Sequence, residues 1–220
     1  MGKGNTHMKI RYSSLVFILG ALLIIAGCAD NKTINRLNAN KWFETGRQAG
    51  IANRWNEAID AFNKALELNP KYTAAYYNRG FAYSSLNNYK QAITDYNKAI
   101  DLNPRHALAY YNRGAAYYYL GSYNQAIADY NKAIELNMKD AMVYYNRGSA
   151  YYSLGKYDLA IADYDKAIEL DPKSPAVYVN RGIAYDKLGN TRQSFDDYKA
   201  AARLGDKNAQ DYLRNKGVVW

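Results

Sequence analysis

No disulfide can close within this chain, because Cys28 is its only cysteine and a disulfide framework needs at least a pair. Histidine is almost as scarce. His7 and His106 are the only two, too few and too far apart to build a histidine-based metal site. No glycine-rich phosphate loop, nucleophile elbow or paired-carboxylate motif occurs. No cofactor or metal is therefore expected, and an enzyme would lack a catalytic constellation. The adjacent acids Asp196 and Asp197 have a bland explanation, given below. The apolar run from Leu15 to Gly27 spans 13 residues, short of the roughly 20 that a membrane-spanning helix needs.

What is abundant is tyrosine, with 24 in the chain. Its apolar ring and polar tip suit positions half in a core and half in a groove. The chain is 49% hydrophobic and 22% charged, which speaks against disorder. The formal net charge is +9. Such a balance suits nucleic acid, acidic glycan or anionic lipid, but both signs are interspersed, as on a solvated surface. Three of the charges (Lys3, Lys9 and Arg11) precede the apolar run.

That N-terminal pattern has the form of an export signal: a basic start, a short apolar core, then Ile25-Ala26-Gly27-Cys28. Those four residues resemble a bacterial lipobox. The resemblance implies a signal peptide over residues 1–27, cleavage before Cys28 and lipidation of its thiol. Met8 is an alternative start. More than one acyl chain is needed for stable anchoring, and the diacylglyceryl cysteine of such lipoproteins supplies that. Localisation in a bacterial cell envelope follows. Ala29 stands where an aspartate would favour the inner membrane, so the outer membrane is preferred. Residues 28–38, polar and rich in asparagine, read as a tether reaching roughly 35 Å if extended. Export conflicts with a nucleic-acid role, so no nucleic acid is expected as partner.

The body is periodic. Tyr76-Tyr77-Asn78-Arg79-Gly80 returns as Tyr110-Tyr111-Asn112-Arg113-Gly114, as Tyr144-Tyr145-Asn146-Arg147-Gly148, and as Tyr178-Val179-Asn180-Arg181-Gly182. Each step is 34 residues. A period of this length marks stacked helical repeats. Gly80, Tyr83 and Leu86 follow the spacing of one helix face. Asn87-Asn88, Gly121-Ser122 and Gly155-Lys156 are turn pairs between helices. Pro70, Pro104 and Pro172 close three repeats, while Met138 and Asp206 depart from that pattern, which predicts a looser junction between the third and fourth repeats. The counting gives repeats at 39–72, 73–106, 107–140, 141–174 and 175–208, with a cap and tail at 209–220.

The chain resembles the tetratricopeptide-repeat family. The opening aromatic is Trp42, Tyr76, Tyr110, Tyr144 or Tyr178, and the close-contact glycine is Gly46, Gly80, Gly114, Gly148 or Gly182. The second-helix alanine is Ala58, Ala92, Ala126 or Ala160, with Ser194 departing, and the next aromatic is Phe62, Tyr96, Tyr130, Tyr164 or Tyr198. The resemblance implies an all-α, right-handed solenoid of five helix-turn-helix repeats with a short C-terminal capping helix. One pairing is read from the residues themselves. Arg79, Arg113, Arg147 and Arg181 accompany Asp95, Asp129, Asp163 and Asp197, and the first repeat loses both partners at Thr45 and Ala61. We read these as ion pairs within each repeat. Asp197 thereby finds a role, and Asp196 is left to solvent.

In this family the first helix of each repeat lines the concave side. Carried over, that implies a groove of Tyr77, Asn78, Phe81, Tyr111, Asn112, Tyr118, Tyr145, Asn146, Tyr152 and Asn180, with Ser84, Ala115, Ser149, Val179, Ile183 and Asp186 beside them. The four asparagines would form a ladder able to donate to and accept from a peptide backbone. Only Asn78 matches the family's carboxylate clamp, so no clamp is expected. The implied function is a membrane-anchored scaffold or assembly factor that holds an extended or helical segment of a protein partner. A groove for cell-wall glycan is the alternative, because tyrosines also suit sugar rings. Lys71, Arg105, Lys139, Lys173 and Lys207 are expected to complement helix C-termini, or to offer a basic edge to lipid or wall polymer. The apolar tail Val218–Trp220 folds back or docks elsewhere, and self-association is a further expectation.

Overall fold

A computed structural model describes residues 31–220. The expected signal peptide, Cys28 and the first residues of the expected tether lie outside the described residues. Those described form eleven helices and no strand: α1 (Asn31–Ile51), α2 (Trp55–Leu68), α3 (Thr73–Ser85), α4 (Tyr89–Leu102), α5 (Ala107–Tyr119), α6 (Tyr123–Glu135), α7 (Ala141–Ser153), α8 (Tyr157–Leu170), α9 (Pro175–Lys187), α10 (Thr191–Arg203) and α11 (Lys207–Asn215). They group into two compact units, one ending at Ala75 and one running from Tyr76 to Trp220. No described helix is long and apolar enough to cross a membrane.

In the first unit, α1 packs on α2 through Gly46. A Cβ there would fall 2.6 Å from the Phe62 ring, which lies against the glycine. Phe43 tilts over Phe62 and Tyr72 at centroid distances of 5.8 and 4.8 Å. The Lys64 ammonium sits 4.1 Å from the centroid of the opening aromatic, Trp42. The helix begins earlier than the repeat register. Residues 31–38, expected to belong to a tether, are helical and continuous with the repeat. No glycine or proline interrupts the stretch from Ala29 to Thr45, so nothing stops the helix from propagating backwards. At about 1.5 Å per residue, eight helical residues reach only ~12 Å.

The second unit repeats one antiparallel pair. In α3/α4, α5/α6 and α7/α8 a glycine faces a buried tyrosine ring: Gly80 on Tyr96, Gly114 on Tyr130 and Gly148 on Tyr164. A Cβ on any of them would come within 2.9 Å of the ring. Ala92, Ala126 and Ala160 are wholly buried on the opposing helix. Truncating such a tyrosine to alanine would cost about 3–5 kcal/mol. The fifth repeat is looser at this point. Ser194 replaces the alanine, its hydroxyl buried without a hydrogen-bond partner, and a Cβ on Gly182 would meet neighbours only at 3.3–3.4 Å.

The turns between paired helices use left-handed backbone, at Asn87 (φ 59°), Gly121 (φ 75°), Gly155 (φ 72°) and Gly189 (φ 76°). Glycine and asparagine adopt it with least strain. The junctions between repeats close in two ways. Where proline follows, the preceding Asn103 or Asp171 is extended and its N–H returns to the helix at Ala99 or Ala167. Where Met138 replaces proline, Asn137 turns left-handed (φ 67°) and the Met138 N–H donates to the Ala133 carbonyl at 3.1 Å. Asp206 repeats this, donating to Ala201 at 3.0 Å after Gly205. Proline has no such hydrogen to give. The junction expected to be looser is thus closed by a different backbone bond, and the Met138 side chain packs on the Tyr130 cluster.

The C-terminal end is covered. Leu213 of α11 is fully buried, and Val218 and Trp220 fold back onto the cluster of Ala201, Ala202, Ala209 and Leu213. Val219 remains 89% exposed.

Candidate partner-binding face

The four arginines pair with the four aspartates as expected, through two parallel hydrogen bonds each. For Arg79 and Asp95 these are Nε–Oδ2 at 2.7 Å and Nη2–Oδ1 at 2.6 Å. The other three pairs differ by at most 0.2 Å. Each arginine also lies over the opening tyrosine of its own helix, with Arg113 5.3 Å from the Tyr110 centroid. Burial pulls the Arg113 guanidinium down, but the hydrogen bonds and charge of Asp129 outweigh it and hold the group above its ordinary value. On Asp95 burial is the larger effect and pushes the carboxyl up against the pull of Arg79. These arginines are occupied by structure and are not offered to a ligand.

A second role of the arginines was not foreseen. Arg113 Nη1 donates to Asn97 Oδ1 at 2.6 Å, and Arg147 Nη1 to Asn131 Oδ1 at 2.6 Å. Arg181 reaches Asp165 in the same way. Each of these arginines therefore ties its own helix pair to the second helix of the preceding repeat. The signal was in the sequence: Asn97, Asn131 and Asp165 recur with the same 34-residue period.

The predicted groove residues do come together, though partly on one another. Asn112 donates to the Tyr77 hydroxyl at 2.9 Å, Asn146 to Tyr111 at 2.8 Å, and Asn180 to Tyr145 at 2.7 Å. The ladder is thus a row of Tyr–Asn pairs, each joining the first helices of successive repeats. One amide hydrogen of each asparagine is taken, leaving its Oδ1 and second N–H. Each tyrosine hydroxyl still carries its own proton. Burial pushes all three hydroxyls up, so they stay protonated donors. Asn78 is half-buried.

Two recesses open along this face. The first, about 400 Å³, includes Phe81, Ser84, Ser85, Tyr96, Asn112 and Ala115 in its lining, together with Tyr119 and Tyr89. Those last two rings stack at 4.9 Å and 11°. The second, about 270 Å³, is lined by Tyr118, Ser149, Tyr152, Ser153, Tyr164, Asn180 and Ile183. Neither lining contains a charged side chain. Tyr118 packs edge-on against Tyr119 at 5.8 Å and 81°, and Tyr152 tilts over Tyr157 at 5.3 Å. A third recess, about 310 Å³, lies at the junction of Tyr145 with Met142, Lys139 and Asp171.

His106 joins this face from the junction before α5. Its Nδ1 accepts from the Ala109 N–H at 3.3 Å, capping the helix, and its ring stacks on Tyr77 at 4.8 Å. Burial lowers its pKa from the ordinary value. The basic residues Lys71, Arg105 and Lys173 do not occupy helix C-termini as expected. They lie beyond the helix ends, their N–H groups donating to the side chains of Asn69, Asn103 and Asp171 at 3.1–3.3 Å, and Lys207 opens α11. Among the described residues no cluster of histidine, cysteine or acids could hold a metal ion.

Comparison with known proteins agrees with this architecture. A family model described as TPR repeat matches residues 51–87, 114–155 and 148–189, and two described as tetratricopeptide repeat match 73–106 and 95–128. No curated protein sequence matches the chain. Among solved structures, MamA is 28% identical, with a TM-score of 0.72 over 79% of this chain and 94% of that one. YrrB, described as a TPR protein with an unusual peptide-binding site, is 22% identical, with a TM-score of 0.70 over 79% and 90%. Pseudomonas aeruginosa pilF is 20% identical, with a TM-score of 0.70 over 81% and 82%. The latter two are alike in fold alone. The chain belongs to the tetratricopeptide-repeat family, whose members are protein-interaction scaffolds rather than enzymes.

Proposed function

We propose that this protein is a lipid-anchored envelope scaffold that holds a segment of a protein partner along the first-helix face of its second unit. The observation that carries the binding part is the row of Tyr–Asn pairs beside two uncharged recesses. Tyrosyl donors and amide acceptors repeat there in the form a peptide backbone offers. The peptide site named for YrrB supports the same reading. The anchoring part rests on the lipobox-like Ile25-Ala26-Gly27-Cys28, and Ala29 places the preference on the outer membrane.

A photoreactive residue at Tyr152, in the native host, tests the binding part. One dominant protein adduct is expected. Adducts with wall glycan alone would overturn it in favour of carbohydrate binding. Cys28→Ser tests the anchor: the variant should leave the membrane fraction or stay unprocessed, and unchanged fractionation would refute lipidation.

A further inference from the structure

The two recesses lie at equivalent positions of the array and share a serine, a buried tyrosine and an asparagine. Ser149, Tyr152, Ser153, Tyr164, Asn180 and Ile183 of the second each stand two 34-residue repeats after Phe81, Ser84, Ser85, Tyr96, Asn112 and Ala115 of the first. In both, the hydroxyl of a buried tyrosine meets a serine, though from different repeat positions: Tyr96 with Ser84 at 3.4 Å and Tyr164 with Ser149 at 3.3 Å. The repeat between them differs from both at one deciding position, where Tyr119 replaces Ser85 and Ser153. Tyr118, beside it, matches Tyr152 and replaces only Ser84. Tyr119 lines the first recess and Tyr118 the second, so the edge-on pair stands as a wall between them.

We infer that the face takes an extended, uncharged polypeptide segment with two aromatic anchors, one in each recess, crossing the Tyr118/Tyr119 wall. This rests on the proposed protein-binding reading and narrows it. The absence of charged lining on a chain of net charge +9 selects against charged anchors, whose burial would go unpaired. Aromatic walls favour aromatic occupants through tilted and stacked contacts. The spacing follows from helix packing. Neighbouring helices lie ~8–10 Å apart, so two repeats span roughly 16–20 Å. An extended chain rises about 3.3 Å per residue, which puts the anchors about five to six residues apart.

Fluorescently labelled peptides of Ser, Gly and Asn test this on the full-length chain, each bearing two tyrosines separated by two, five, six or nine positions. Separations of five or six should bind at least ten-fold tighter than the others. Ser85→Tyr and Ser153→Tyr each fill one recess with the residue that the third repeat already carries as Tyr119, so the fold is kept. Either variant should reduce the matched peptides to the affinity of a single-tyrosine peptide. Equal affinity at all spacings, undiminished binding by the double variant, or no binding of any peptide would overturn the proposal. A protein adduct captured at Tyr152 despite such a result would leave the scaffold reading standing and remove only the two-anchor register.

Discussion

Arg113 and Asp129 meet across one helix pair through two parallel hydrogen bonds of 2.8 and 2.6 Å, with only 18% and 8% of their side chains exposed. Breaking a largely buried pair on one side leaves the other charge stranded, at a cost of about 3–5 kcal/mol. Arg113→Ala should lower the urea midpoint accordingly, and Arg113→Ala with Asp129→Ala should recover part of the loss. A strictly additive double variant would mean that the pair does not act as a unit.

The contact glycines should not be equivalent. Gly148→Ala places a methyl within 2.9 Å of the Tyr164 ring and 3.1 Å of the Ala160 carbonyl, an overpacking that costs about 1–3 kcal/mol. Gly182→Ala meets neighbours at 3.3 Å or more. There the helix-propensity gain of up to about 1 kcal/mol offsets the crowding. Thermal melts of the two variants should separate by several degrees, with Gly148→Ala the lower.

His106 gives the fold a dependence on acidity. Its Nδ1 must be unprotonated to accept from Ala109, and burial has lowered its pKa in the folded chain. A histidine depressed on folding contributes stability that is complete above its unfolded pKa and is lost as pH falls through the folded value. The melting temperature should therefore decline on acidification below about 6.5, the ordinary histidine value. His106→Asn keeps a capping acceptor that does not titrate, and its stability should lose that part of the slope.

At Asn137 the backbone is left-handed. Asn137→Gly should fold as well as the parent or better, whereas Asn137→Ala should lose about 1–2 kcal/mol. Equal stability of the two variants, read by denaturant titration, would show that the junction relaxes to the extended closure used after Asn103.

Much of this was legible because a 34-residue period writes the same answer several times. Gly80, Tyr96 and the Arg79–Asp95 pair were each readable from recurrence and helix spacing alone. The asparagines were readable as a row but not as partners of the tyrosines one repeat back, because no single repeat contains both ends of that bond. The same blindness hid Asn97 and Asn131. Residues 31–38 misled for another reason. Polar composition suggested a tether, but without glycine or proline nothing in that stretch resists a helix already begun downstream.

From the second repeat to the fifth, the Tyr–Asn and arginine bonds between repeats join fixed positions of one repeat to fixed positions of the next. Excising Ala107–Asp140 would set Tyr77 opposite Asn146 and Arg147 opposite Asn97, the same donors and acceptors in the same register. An array so wired can be shortened or lengthened by whole units through recombination of its coding sequence without re-evolving any interface, and its reach along a partner becomes a heritable variable independent of its chemistry.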